Sequence, residues 1–139
     1  MPGHGVRQPN SFWKARRICE ALLTQGFGTD ILPILERREP IRKSAGADER
    51  PDPPEHYNTI AVVEKLHAVT APVVLVDDVI TRGSTLMGAY WRLLETHPSA
   101  DVRAFTVART LSHVDRIEDV KDPWVGEVRW EHERLHRTP

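Results

Sequence analysis

Val73-Val74-Leu75-Val76 is a run of four apolar residues, three of them β-branched, and such a run reads as a strand buried on both faces, as in a parallel sheet. Two adjacent carboxylates, Asp77 and Asp78, follow where that strand should leave the sheet; after Val79 and Ile80 comes a small polar loop, Thr81-Arg82-Gly83-Ser84-Thr85. Behind the loop, Leu86, Ala89, Tyr90, Leu93 and Leu94 recur at helical spacing, so the loop opens a helix expected over Ser84–Thr96. The N–H groups and positive end of that helix favour a phosphate at Gly83 to Thr85, and the two hydroxyls add donors. Asp77 and Asp78 are acceptors suited to ribose hydroxyls or to a divalent cation. At the carboxyl edge of a parallel sheet, where ligands commonly sit, the combination reads as a site for a phosphorylated sugar.

The plain alternative is a buried strand capped by an ordinary βα loop, since acidic residues and Ser/Thr are common at helix starts. A nucleotide P-loop is excluded because the chain has no G-x-x-x-x-G-K-[ST]. A receiver-type aspartate pocket needs acids at the ends of different strands, and its strand is not followed by Gly-Ser-Thr.

Composition bounds the answer without deciding it. The 139 residues suffice for one domain with a single core, and 40% hydrophobic with 28% charged residues is ordinary for a globular protein. A net charge of −1 supplies no broad basic field, so no nucleic-acid partner is expected. Cys19 is the only cysteine, which rules out an intramolecular disulfide and a Cys-rich zinc site. No apolar run approaches the about 18 residues of a membrane span and the start does not read as a signal peptide, so no membrane partner and a cytoplasmic location are expected.

Along the rest of the chain, Phe12, Ala15, Ile18, Cys19, Leu22 and Leu23 form one apolar stripe of a helix capped by Asn10 or Ser11 and ended by Gly26. Ile31 to Leu35 suggests a short strand bent at Pro33. Residues 36–57 lack periodicity, carry Arg37, Arg38, Arg42, Lys43 and Arg50, and end in Pro51, Pro53 and Pro54, which reads as one long charged loop. Thr59–Val63 reads as a weak strand, with a short helix through Leu66 as the rival. Val102–Ala108 gives a second apolar strand, completing a βαβ unit with the first. Ser112–Asp122 reads as polar loop with a helical turn. Trp124–Trp130 alternates and Arg134–Arg137 pairs back as a hairpin; His132 and His136 are four apart but in a non-helical pattern, so no metal site is expected there.

The thirteen residues VVLVDDVITRGST closely resemble the phosphoribosyl-diphosphate (PRPP) binding motif of type I phosphoribosyltransferases. HYNTIAV before them and DVRAFTVART after them look like the competence-associated, ComF-type branch, and the resemblance covers about residues 30–110. It implies a single α/β domain over residues 1–139, a three-layer parallel β-sheet flanked by helices. It also implies transfer of a phosphoribosyl group from PRPP to a nitrogenous acceptor with release of diphosphate, Mg²⁺ being carried in with PRPP. Asp77 and Asp78 would be the catalytic pair, holding the ribose 2′- and 3′-hydroxyls. Thr81, Arg82, Gly83, Ser84 and Thr85 would wrap the 5′-phosphate. Residues 36–57 would form a mobile basic hood, with Arg37, Arg38 and Lys43 neutralising diphosphate.

The chain departs from the family pattern in three places. Met1-Pro2-Gly3-His4-Gly5 resembles only the end of the family's first strand and the loop after it, so either the sequence begins late or the sheet is without that strand. The Cys-rich N-terminal knot common in the ComF-type branch has no counterpart. Thr81 stands where relatives acting on 6-oxopurines carry an Asp, which implies that hypoxanthine and guanine are not efficient acceptors. The missing first strand and the poorly matched hood keep a second reading open, a non-catalytic PRPP- or nucleotide-sensing regulatory domain, while an exposed sheet edge at the N-terminus would invite a homodimer.

Overall fold

Where the apolar periodicity is clearest the chain folds as it dictates, and these elements carry the rest. The computed structural model describes residues 1–3, 5–6, 12–41, 50–63, 72–110 and 123–138. In chain order they form α1 (Lys14–Thr24), β1 (Leu35–Arg37), α2 (Pro53–Thr59), β2 (Ile60–Val62), β3 (Val73–Ile80), α3 (Ser84–Thr96), β4 (Val102–Arg109), β5 (Val128–Glu131) and β6 (Arg134–Arg137). The fold is mixed α/β, and among the described residues the strands pair two by two: β1 with β2, β3 with β4, β5 with β6.

β3 and β4 run parallel, Val73 opposite Val102 and Ile80 opposite Arg109, with α3 between them in sequence. Side chains of a strand alternate between faces, so Leu75 and Asp77 look one way and Val74, Val76 and Asp78 the other. Leu75 packs in the main core with Leu86, Ala89 and Leu93 of α3, Ile34 before β1, and Ile60 of β2. Asp78 meets Lys14 of α1 at 3.1 Å on the opposite face. β3 was expected to be buried on both faces and is not: Val74 is 48% and Val79 44% exposed. Among the described residues the β3–β4 pair has too few neighbours to cover both faces.

α1 ends as Gly26 predicts. Gly26 takes φ +80°, its N–H reaches Leu23 O, and Phe27 N–H reaches back to Leu22 O, a left-handed closure that satisfies two terminal carbonyls. The helix starts at Lys14 behind Trp13, and the expected caps Asn10 and Ser11 lie outside the described residues. The strand expected over Ile31 to Leu35 is displaced: Ile31 to Ile34 are not strand, although Ile34 O accepts from Val63 N–H at 2.8 Å, and β1 begins at Leu35, beyond Pro33, which lacks a donor.

The long loop expected over residues 36–57 is shorter at both ends. Its start, Glu36 and Arg37, is strand; its end is helix α2, opened by a capping box in which Asp52 accepts from Glu55 N–H and Glu55 accepts from Asp52 N–H. Residues 42–49 lie outside the described residues, as do 64–71 and 111–122, including the loop expected over Ser112–Asp122. α2 lies against α3 at Gly88, where an added Cβ would sit 2.6 Å from His56 Cβ and 2.7 Å from Tyr57 N. β2 follows α2 directly and pairs antiparallel with β1, Arg37 opposite Ile60. The C-terminal hairpin forms as the alternation implies, turning at His132 and Glu133, both at positive φ.

Candidate functional site

A small open cleft lies at the carboxyl end of β3. Asp77 and the loop Thr81–Thr85 line one side, and Arg50 and His56 the other. The loop reverses the chain at Gly83, whose φ of +98° is one that side-chain-bearing residues rarely adopt. A Cβ there would also stand 2.9 Å from Val128 Cγ1, so the hairpin strand β5 presses directly on this turn. Gly83 O accepts the first helical bond of α3, from Met87 N–H at 2.9 Å, and no side chain caps this end. The amides of Ser84, Thr85 and Leu86 therefore have no helical acceptor, and these three residues line the cleft at the positive pole of a 13-residue helix.

The two carboxylates, chain neighbours, part company. Asp77 lines the cleft, opposite Thr106 in the sheet register. Asp78 bonds Lys14 on the α1 face, accepts from Val79 N–H at 2.9 Å, and drops out of the β3–β4 register. Partial burial would raise its pKa, but the Lys14 ammonium and the Val79 N–H more than offset that and hold Asp78 below the usual carboxylate value.

Of the three cations expected over the cleft, Arg37 is buried at 2% exposure in β1. Its guanidinium donates to Gly3 O, to Thr59 Oγ1 and, at 3.1 Å, to His56 Nδ1. Burial pushes the guanidinium below its ordinary pKa, while the nearby Asp77 charge acts the other way. Arg37, expected in the hood, is bonded from three directions inside the protein and is not among the residues that line the cleft. Arg38 is exposed and outside the cleft lining, and Lys43 lies outside the described residues.

Thr81, Arg82, Gly83, Ser84 and Thr85 do come together around the cleft. Arg50 and His56 also line the cleft, and little in the sequence marks either. Arg50 was one basic residue among several in a charged stretch; its position just ahead of the Asp52 capping box was the available signal. His56 is 1% exposed, bonded to Arg37 through Nδ1 and 3.5 Å from Thr85 Oγ1 through Nε2. No periodicity marks it, because its burial follows from polar contacts rather than apolar spacing.

The arrangement puts one carboxylate beside a cradle of amides and hydroxyls, with two arginines, Arg50 and Arg82, at its rim. Such a site can accept from sugar hydroxyls on one side and donate to a phosphate on the other. No helix among the described residues is long and apolar enough to cross a membrane. No family model, no curated protein and no solved structure matches the chain.

Proposed function

We propose that this chain is a phosphoribosyltransferase-like protein of the ComF-type branch, built on a three-layer parallel sheet, that binds PRPP with its Mg²⁺. It passes the phosphoribosyl group to a nitrogenous acceptor in the cytoplasm. The observation that carries the reading is the convergence of Asp77 with the uncapped amides of the Gly83 turn in one cleft at the end of β3. The motif that closely resembles the PRPP signature is the same stretch of chain.

In this account Asp77 accepts from a ribose hydroxyl, with Asp78 serving the second hydroxyl or holding β3 in place through Lys14. The loop from Thr81 to Thr85 donates to the 5′-phosphate. The bond from the anomeric carbon to diphosphate breaks as the acceptor nitrogen bonds to that carbon, and the acceptor's proton leaves to solvent. The transition state carries positive charge on the sugar, which the Asp77 carboxylate favours, and negative charge on the leaving diphosphate, which Arg50, a cleft-lining cation outside the 5′-phosphate loop, would meet. Mg²⁺ arrives as part of the substrate, held by phosphate oxygens and water. Isothermal titration of the folded chain with PRPP and Mg²⁺ tests the reading. Saturable heat is expected, and none at about 1 mM PRPP, the weak end of specific binding, contradicts it.

One observation favours a second reading, a PRPP-sensing domain without transfer. Arg37, expected to neutralise the leaving group, is committed to interior partners. This reading gives the same titration but no diphosphate release with any nitrogenous base.

A further inference from the structure

The buried chain of contacts from Arg37 through His56 to Thr85 has a direction fixed by donor chemistry. A guanidinium has no acceptor, so the 3.1 Å contact between Arg37 and His56 Nδ1 requires Nδ1 to offer its lone pair. The ring proton then sits on Nε2, which faces Thr85 Oγ1 at 3.5 Å. A threonine hydroxyl that accepts from the ring keeps its own proton to give away, and Thr85 borders the cleft. A phosphate oxygen accepts and does not donate, so a hydroxyl turned this way is the form that binds it. The contact to Thr85 is at the long end for a hydrogen bond.

We propose that His56 is a positioning residue, held by Arg37 as the neutral Nε2–H imidazole, and that it sets the Thr85 hydroxyl to donate into the cleft. The phosphate as recipient rests on the function proposed above; the fixed ring does not. Protonating Nδ1 would aim a second N–H at the Arg37 guanidinium and set two positive charges face to face in the interior. Arg37 of β1 bonds the ring, and Asp77 of β3, Arg50 and Arg82 share the cleft with it. The elements packed around it also carry Glu36 of β1, Asp78 of β3, Glu55 and Tyr57 of α2, and Tyr90, Arg92 and Glu95 of α3, with Asp52 ahead of α2 and the Met1 ammonium close to Asp77. Glu55 is spent capping the Asp52 N–H, and Arg92 donates to Tyr57 O. Asp77 acts on Arg37 as well as lining the cleft, so the carboxylate that meets the ligand also helps keep the guanidinium charged.

Long-range ¹H–¹⁵N spectra of the histidine rings in the full chain, with His56 identified by its loss in His56→Gln, test the fixed ring directly. The Nε2–H form should persist from roughly pH 5 to 8, the range in which free histidine changes charge. A His56 ring that titrates near the ordinary value of about 6.5, or that carries its proton on Nδ1, overturns the proposal. PRPP titration of variants tests the role at Thr85. His56→Phe should weaken binding about tenfold, the scale of one hydrogen bond to a charged group. His56→Gln, whose amide has both an acceptor and a donor, should restore affinity to within about threefold of the native chain. Equal loss in both variants, or none in either, overturns that role. A native chain with the Nε2–H ring that takes up no PRPP would support the fixed ring and overturn the phosphate reading, so the two failures are distinct.

Discussion

Asp77 and Asp78 look interchangeable in the sequence, yet their side chains meet different neighbours, the cleft for one and Lys14 for the other. Asp77→Asn should therefore weaken PRPP binding by more than about tenfold, the loss of a charged-group hydrogen bond of ~1.5–3 kcal/mol, and Asp78→Asn should do markedly less. Titration calorimetry on the two single variants reads the difference; equal effects would mean that both carboxylates reach the sugar. Asp78 has its own signature in acid. Its pKa is depressed in the folded chain, so its contribution to stability is full above the ordinary carboxylate value of about 4 and is lost as pH falls through the lower folded value. With side chains 69% and 41% exposed, the Lys14–Asp78 pair is screened and contributes less than about 1 kcal/mol. Urea unfolding of Lys14→Met should show that deficit at neutral pH and none once Asp78 is protonated in both states.

The elements around the site depend on two close approaches made by glycines. At Gly88 the backbone of α3 meets Pro53 O at 2.8 Å and Tyr57 N at 2.7 Å, measured from where a Cβ would stand, and backbone cannot yield as a flexible side chain does. Gly88→Ala should cost about 1–3 kcal/mol, the range for overpacking, seen as a lower urea midpoint with an unchanged slope. It should also push His56 away from Thr85. The helical period of Leu86, Ala89 and Leu93 and the β-branched run at Val73 made α3 and the β3–β4 pair readable from sequence alone. α2 was readable too, from Asp52-Pro53-Pro54-Glu55, a cap with proline in the first turn, but a cluster of prolines read as loop hid it. β1 and β2 were less legible because three-residue strands carry too little alternation. The burial of Arg37 was not legible because it rests on Gly3, Thr59 and His56, contacts across the fold that no local pattern encodes. At the site itself, the stretch from Asp77 to Thr85 was visible; the partners contributed from residues 50 to 56 were not.

At the scale of the molecule, a small core of Ile34, Ile60, Leu75, Leu86, Ala89 and Leu93 joins β1–β2, α3 and β3, while β4 leaves Phe105 and Val107 40% and 63% exposed. The cleft is thus assembled from three parts of the chain: the β3–α3 turn, the segment leading into α2, and the hairpin that backs Gly83 through Val128. Its polar lining bears on the choice of acceptor. Thr81 offers a hydroxyl and no carboxylate to manage a purine ring proton, so hypoxanthine and guanine should be poor acceptors. Turnover of either base near or above about 1 per second, ordinary for enzymes, would show that Thr81 does not set this preference. The most direct test of the account is to map PRPP·Mg²⁺ onto the backbone amides of the ¹⁵N-labelled chain. The account predicts the largest and earliest shifts at Gly83, Ser84 and Thr85, smaller ones at Asp77 and His56, and little change in β6. Amides of the Gly83 turn that stay still while PRPP is added, or that move less than those of the hairpin, would contradict it.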